Sequence, residues 1–141
     1  MTCYVDTSVL LSALTREAAS GRSLAWLARQ DPGALAISDW VAAEVSSALS
    51  IKIRTGAISE SQRADALAGF RRLAERSLTV LAVERSHFSV AARLADQQTL
   101  GLRAADALHL AIALDHGLTL CTLDRNLAEA AGSVGVKIEA I

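Results

Sequence analysis

At 141 residues the chain has the usual size of one domain, and it is long enough to bury roughly 68% of the surface its unfolded form exposes. With 52% hydrophobic and 21% charged residues it is too apolar to be disordered, and a formal charge of -1 excludes the overall basic character of a typical nucleic-acid binder. Aromatic residues make up only 4%, against 28 Ala and 21 Leu, which predicts a core of closely approaching helices with small side chains. No apolar run reaches the roughly 20 residues of a membrane span, and no cationic flank with a cleavage site opens the chain, so a cytoplasmic protein is expected. Cys3 and Cys121 lie in apolar runs without C-x-x-C spacing and are expected to be buried free thiols.

In chain order, Thr2 to Val5 reads as a short strand ending at Asp6, with Thr7-Ser8 capping a helix from Val9 to Leu14. Leu24, Leu27 and Ala28 recur at helical spacing until Asp31-Pro32-Gly33 stops them, and Leu35 to Ile37 is a brief second strand. Ser38 and Asp39 are set to cap a long helix from Trp40 to about Arg54, stopped by Thr55-Gly56. Ser59 and Gln62 match the capping-box pattern and open a helix bearing Leu67, Phe70 and Leu73 on one face, with Arg63, Arg71, Arg72 and Arg76 elsewhere.

Leu78 to Ala82 is a third strand, and Ser86 is placed to cap a helix from His87 to about Thr99, ended by Gly101. Arg103 to His116 is apolar nearly all round, which predicts a helix buried between layers. Leu118 to Thr122 is the most apolar strand, followed by a helix from Arg125 to Ala131 and a last strand near Val136 to Ile138. No repeat or linker divides the chain, so residues 1–141 read as one domain. The alternation of strand and helix predicts an α/β fold, a parallel sheet between two helical layers.

In such sheets ligands bind beyond the carboxyl ends of the strands, where Asp6 and Asp124 fall. Either one alone reads best as a helix N-cap. Two further acids change that balance. Glu44 shares the covered side of its helix with Val41, Ala48 and Ile51, and Asp106 lines up with Leu102, Leu110 and Ala113. An inter-helix ion pair with Arg54 or Arg103 would explain one such acid; for four, a shared cation is the more economical partner. The set contains oxygen donors only, which suits Mg²⁺ or Mn²⁺ rather than zinc. Ser8, Thr122 and Asn126 stand two residues from Asp6 or Asp124, where they can orient carboxylates or act as cap and turn residues. His109 reads as a hydrogen-bonded core residue, His116 as a helix-end residue and His87 as an exposed first-turn residue.

Tyr4-Val-Asp-Thr-Ser8, Ala43-Glu-Val45, Arg103-Ala-Ala-Asp-Ala-Leu-His109 and Cys121-Thr-Leu-Asp124 resemble, in order and spacing, the acidic motifs of PIN-domain proteins. The likeness spans nearly the whole chain and is nearest to small single-domain VapC-type toxins of toxin-antitoxin pairs. It implies strand order 3-2-1-4-5, an Mg²⁺ site on Asp6, Glu44, Asp106 and Asp124, and Ser8 and Thr122 at the family's hydroxyl positions. It also implies single-strand endoribonuclease activity, a homodimer and a cognate antitoxin. Arg54, Arg71, Arg72, Arg76 and Arg125 are candidates for flanking phosphates, against a plain solvated role for each. Two rivals remain. A phospho-receiver or aspartyl-phosphate hydrolase would need an acid pair or D-x-D where the chain has Asp6-Thr7-Ser8, and no Lys lies between Lys52 and Lys137. A catalytically degenerate PIN-like domain, serving as a protein-binding module, would use the same acids only as caps.

Overall fold

A computed structural model describes residues 1–141. Five strands form one parallel sheet: β1 Cys3–Val5, β2 Leu35–Ser38, β3 Leu78–Leu81, β4 Thr119–Cys121 and β5 Ile138–Glu139, in the order β3-β2-β1-β4-β5. Seven helices flank it: α1 Thr7–Leu14, α2 Ser20–Ala28, α3 Asp39–Arg54, α4 Glu60–Arg76, α5 Arg85–Asp96, α6 Ala104–Asp115 and α7 Arg125–Ser133. The central strands β1 and β2 are buried along their whole length, as strands covered on both faces must be. β1 pairs with β2 on one side and β4 on the other, with Val5 opposite Cys121. The α/β architecture and strand order expected from the motifs are therefore those observed.

α6 is buried from Ala107 through Ala113, in keeping with its lack of a polar face. Several boundaries differ from expectation, each for a local reason. α1 begins at Thr7 because Asp6, not Thr7 or Ser8, is its cap and accepts from the Ser8 amide. α5 starts two residues early, at Arg85, and ends at Asp96; a single 3-10 turn at Gln98–Leu100 then leads to Gly101, whose φ of 62° needs a glycine. β5 starts at Ile138 because the Val136 amide still closes α7, donating to the Ala131 carbonyl.

The two cysteines correct the expectation of free thiols. Cys3 and Cys121 form a disulfide, with Cα atoms 6.4 Å apart. A separation of 118 residues conceals this pairing in the sequence. The sheet reveals it: Cys121 lies opposite Val5, two residues from Cys3, so both side chains leave the same face of adjacent strands.

Candidate functional site

Parallel strands deliver their carboxyl ends to one edge, and the four acids arrive there from different elements. Asp6 follows β1, Asp124 follows β4, Glu44 sits in the second turn of α3 and Asp106 in the first turn of α6. All four line a single open cavity of about 350 Å³, together with Thr7, Ser8, Leu11, Ser47, Ala48, Ile51 and His109. No lysine or arginine lines it. Neither Arg54 nor Arg103 pairs with Glu44 or Asp106; the inter-helix partner of Glu44 is His109.

Asp6 is buried and hydrogen-bonded through both oxygens. Its Oδ1 accepts from the Ser8 amide at 3.1 Å and from Ser8 Oγ at 2.6 Å, and Oδ2 accepts from Thr122 Oγ1 at 2.7 Å. Ser8 Oγ in turn accepts from the Leu123 amide, and Thr122 Oγ1 from the Asp124 amide. These bonds, with the Asp6 amide donating to the Cys121 carbonyl, fasten the β1–α1 corner to the β4–α7 corner. Burial raises the Asp6 pKa, and the Ser8 and Thr122 hydroxyls only partly offset it. Asp124 caps α7 through Oδ1, which accepts from the Leu127 amide at 3.1 Å. The cap reading of Asp6 and Asp124 is thus correct locally, and both residues also line the shared cleft.

Glu44 Oε1 accepts two bonds, from Thr7 Oγ1 at 2.7 Å and from His109 Nε2. Burial pushes its pKa up, but His109 and Thr7 outweigh it and hold Glu44 below the usual value. Asp106 has no such help. Burial first, then the charge of Asp124 and the smaller fields of Glu44 and Asp6, raise its pKa, while His109 opposes. Asp106 thus feels the charge of each of the other three acids.

Asn126 does not belong to this group. It is exposed on the first turn of α7 and lines a different depression with Thr99, Gly101 and Glu129. Two residues past Asp124, it has turned with the helix away from the cleft. His109 is buried core, as expected, yet it also reaches the site. Thr7 and Ser38, which read in the sequence as cap residues, and Tyr4, which reads as a strand residue, also support the site. The available signal was Tyr4, the only tyrosine, in an apolar strand where a buried phenol needs a partner.

A second grouping, His87, Asp115 and His116, lies elsewhere. His87 is 1% exposed, not solvent-facing, because α5 starts early enough to make it the third helical residue, folded back on the helix start. The Glu84 amide donates to His87 Nδ1 at 2.9 Å, so the ring proton is on Nε2, which donates to Asp115 Oδ2 at 3.0 Å. Both ring nitrogens are engaged in a tautomer that closes Nε2 to a metal, and the grouping serves as a cap.

With the fold and the cleft described, the family follows. The PIN domain family matches residues 3–133, and the chain belongs to it. Solved structures of similar fold include VapC20 of Mycobacterium tuberculosis, described as a sarcin-ricin loop cleaving toxin, at 17% identity and TM-score 0.72, covering 96% of each chain. FitAcB from Neisseria gonorrhoeae is 21% identical with TM-score 0.71, covering 99% of this chain and 97% of that one. VapBC-5 of M. tuberculosis, from a toxin-antitoxin system, is 21% identical with TM-score 0.66, covering 100% of both. No curated protein matches the sequence. No helix is long and apolar enough to cross a membrane.

Proposed function

We propose that the chain is a divalent-metal-dependent endoribonuclease that cleaves single-stranded RNA, the toxin of a type II toxin-antitoxin pair. One observation carries this reading: four carboxylates line one open cleft that contains no lysine or arginine. Four acids whose one basic neighbour in the cleft is His109, bonded to Glu44, fit a cation, and the carboxylate oxygens fit Mg²⁺, with Mn²⁺ the alternative.

Asp106, Asp124 and Glu44 Oε2 carry no inter-element bond and are free to hold the ion, while Asp6 shapes the floor through Ser8 and Thr122. When bound, Mg²⁺ supplies a water of lowered pKa and positive charge opposite a phosphodiester. Leu11, Ser47, Ala48 and Ile51 line the same cleft and in this reading offer a wall for a flanking nucleotide. Asp6, Glu44, Asp106 and Asp124 are the catalytic set in this reading, with Ser8 and Thr122 in support.

The partners belong to the same proposal. Solved relatives include toxin-antitoxin complexes, among them VapBC2 from Rickettsia felis bound to a promoter DNA fragment. This chain is expected to form a homodimer and to bind a cognate antitoxin, as a single cytoplasmic nuclease domain.

The test is cleavage of a labelled single-stranded RNA in Mg²⁺ or Mn²⁺. Activity that disappears with EDTA and in Asp106→Asn supports the reading. Equal activity with chelator overturns the metal dependence. No cleavage under any divalent ion, in a chain that still binds a partner, establishes the degenerate binding module instead.

A further inference from the structure

Behind Glu44 lies a buried chain of polar groups that neither capping nor core packing requires. Ser38 Oγ is 2.7 Å from Tyr4 Oη, Tyr4 Oη is 2.9 Å from His109 Nδ1, and His109 Nε2 bonds Glu44 Oε1. Ser38, Tyr4 and His109 are all within 2% of full burial. They come from β2, β1 and α6 and converge on a residue of α3, so four elements meet in one line. Ser38 precedes α3 yet makes no cap bond with its side chain, because that hydroxyl is turned to Tyr4.

Hydrogen-bond accounting fixes the direction of this line. A carboxylate only accepts, so His109 Nε2 must donate to Glu44. The Ser38 hydroxyl has one proton and one neighbour, Tyr4 Oη, so it donates there. The Tyr4 proton then goes to His109 Nδ1, and every proton in the line has an acceptor. The opposite order, with Nδ1 donating to Tyr4 and Tyr4 to Ser38, would leave the Ser38 proton buried without a partner. One tautomer of His109 therefore satisfies the whole line.

We propose that Ser38, Tyr4 and His109 are positioning residues that lock the Glu44 carboxylate, tying down Oε1 and presenting Oε2 to the acidic cleft. The inference rests on the metal-site reading above and adds to it how one of the four acids is aimed. Thr7 completes the hold, since its hydroxyl also donates to Oε1. A carboxylate with one oxygen doubly bonded cannot rotate about its last torsion without losing both donors. Partners of this outer kind, when removed, typically weaken metal affinity 10- to 100-fold.

The test uses Mn²⁺ alone, titrated into the metal-free full chain and followed by electron paramagnetic resonance, with four variants. Tyr4→Phe removes one hydroxyl and keeps the ring. Tyr4→Phe/Ser38→Ala also removes the orphaned Ser38 proton, so a loss shared by both is not a folding defect. His109→Gln keeps an N–H at the Nε2 position, and His109→Leu keeps none. Affinity lower by about tenfold in Tyr4→Phe and in the double variant, and lower still in His109→Leu but recovered towards wild type in His109→Gln, is the expected order. In the metal-free protein, the ¹⁵N spectrum of His109 should show a protonated Nε2 and bare Nδ1 in wild type and a mixture in Tyr4→Phe. Wild-type affinity in folded His109→Leu, or a bare Nε2 in wild type, overturns the inference. Glu44→Gln is the control that separates the two levels. If it too leaves Mn²⁺ affinity and RNA cleavage unchanged, Glu44 is not in the metal site and the broader reading fails at that residue.

Discussion

At Asp124 one oxygen is committed to the Leu127 amide of α7 while the side chain also lines the acidic cleft, so substitution by Asn separates capping from charge. Asn caps about as well as Asp, and removing one of four close carboxylates relieves repulsion. Metal-free Asp124→Asn should therefore melt above metal-free wild type, yet gain less from added Mg²⁺; an unchanged melting temperature and an undiminished Mg²⁺ gain would make Asp124 a cap alone. Asp106 gives the matching pH test. Its pKa in the folded chain lies above the ordinary 3.8, so folding favours the protonated form. The stability this adds is complete below 3.8 and is lost as pH rises through the raised value, and Asp6 acts in the same direction. Glu44 acts oppositely, since its pKa is lowered: it stabilises above the ordinary 4.5 and loses that contribution as pH falls through the lowered value. In EDTA, the melting temperature of Asp106→Asn should fall less than that of wild type as pH rises from about 4 to 7.

Among the elements, α4 isolates what capping alone contributes. Ser59 accepts from the Gln62 amide at 3.1 Å and Gln62 Oε1 accepts from the Ser59 amide at 2.8 Å, and neither residue lines the cleft. Ser59→Ala should cost about 1 kcal/mol, a few degrees in melting temperature, and leave Mn²⁺ affinity as in wild type. This box was legible because both halves are sequence neighbours. So was the sheet-edge placement of Asp6 and Asp124, since a strand ending in an acid before a helix states its own geometry. Glu44 and Asp106 were legible as acids on covered helix faces. What short spacing cannot convey is which distant side chain meets which: Tyr4 meets His109 across 105 residues, and the Ser38 hydroxyl abandons its cap for Tyr4. Asn126 failed for the opposite reason, because nearness in sequence to Asp124 is not nearness in space on a helix.

For the molecule as a whole, the Cys3–Cys121 link joins β1 to β4 and closes a loop of nearly the whole chain. A cross-link of that span stabilises by up to about 5 kcal/mol through the unfolded state. Alkylation of unfolded, unreduced protein should modify neither cysteine, and a reductant should lower the melting temperature without abolishing the fold, since both residues stay within the sheet; labelling of either thiol before reduction would contradict the link. The same strand order has a consequence in time. β1 is made first but sits in the middle of the sheet, and its neighbour β4 is not complete until Cys121. At about 5–20 residues per second, roughly 6–23 s separate the two during synthesis. From the moment Glu44 is made until Asp124 is added, the nascent chain holds only part of the acidic set, so the cleft cannot close before residue 124 has been synthesised.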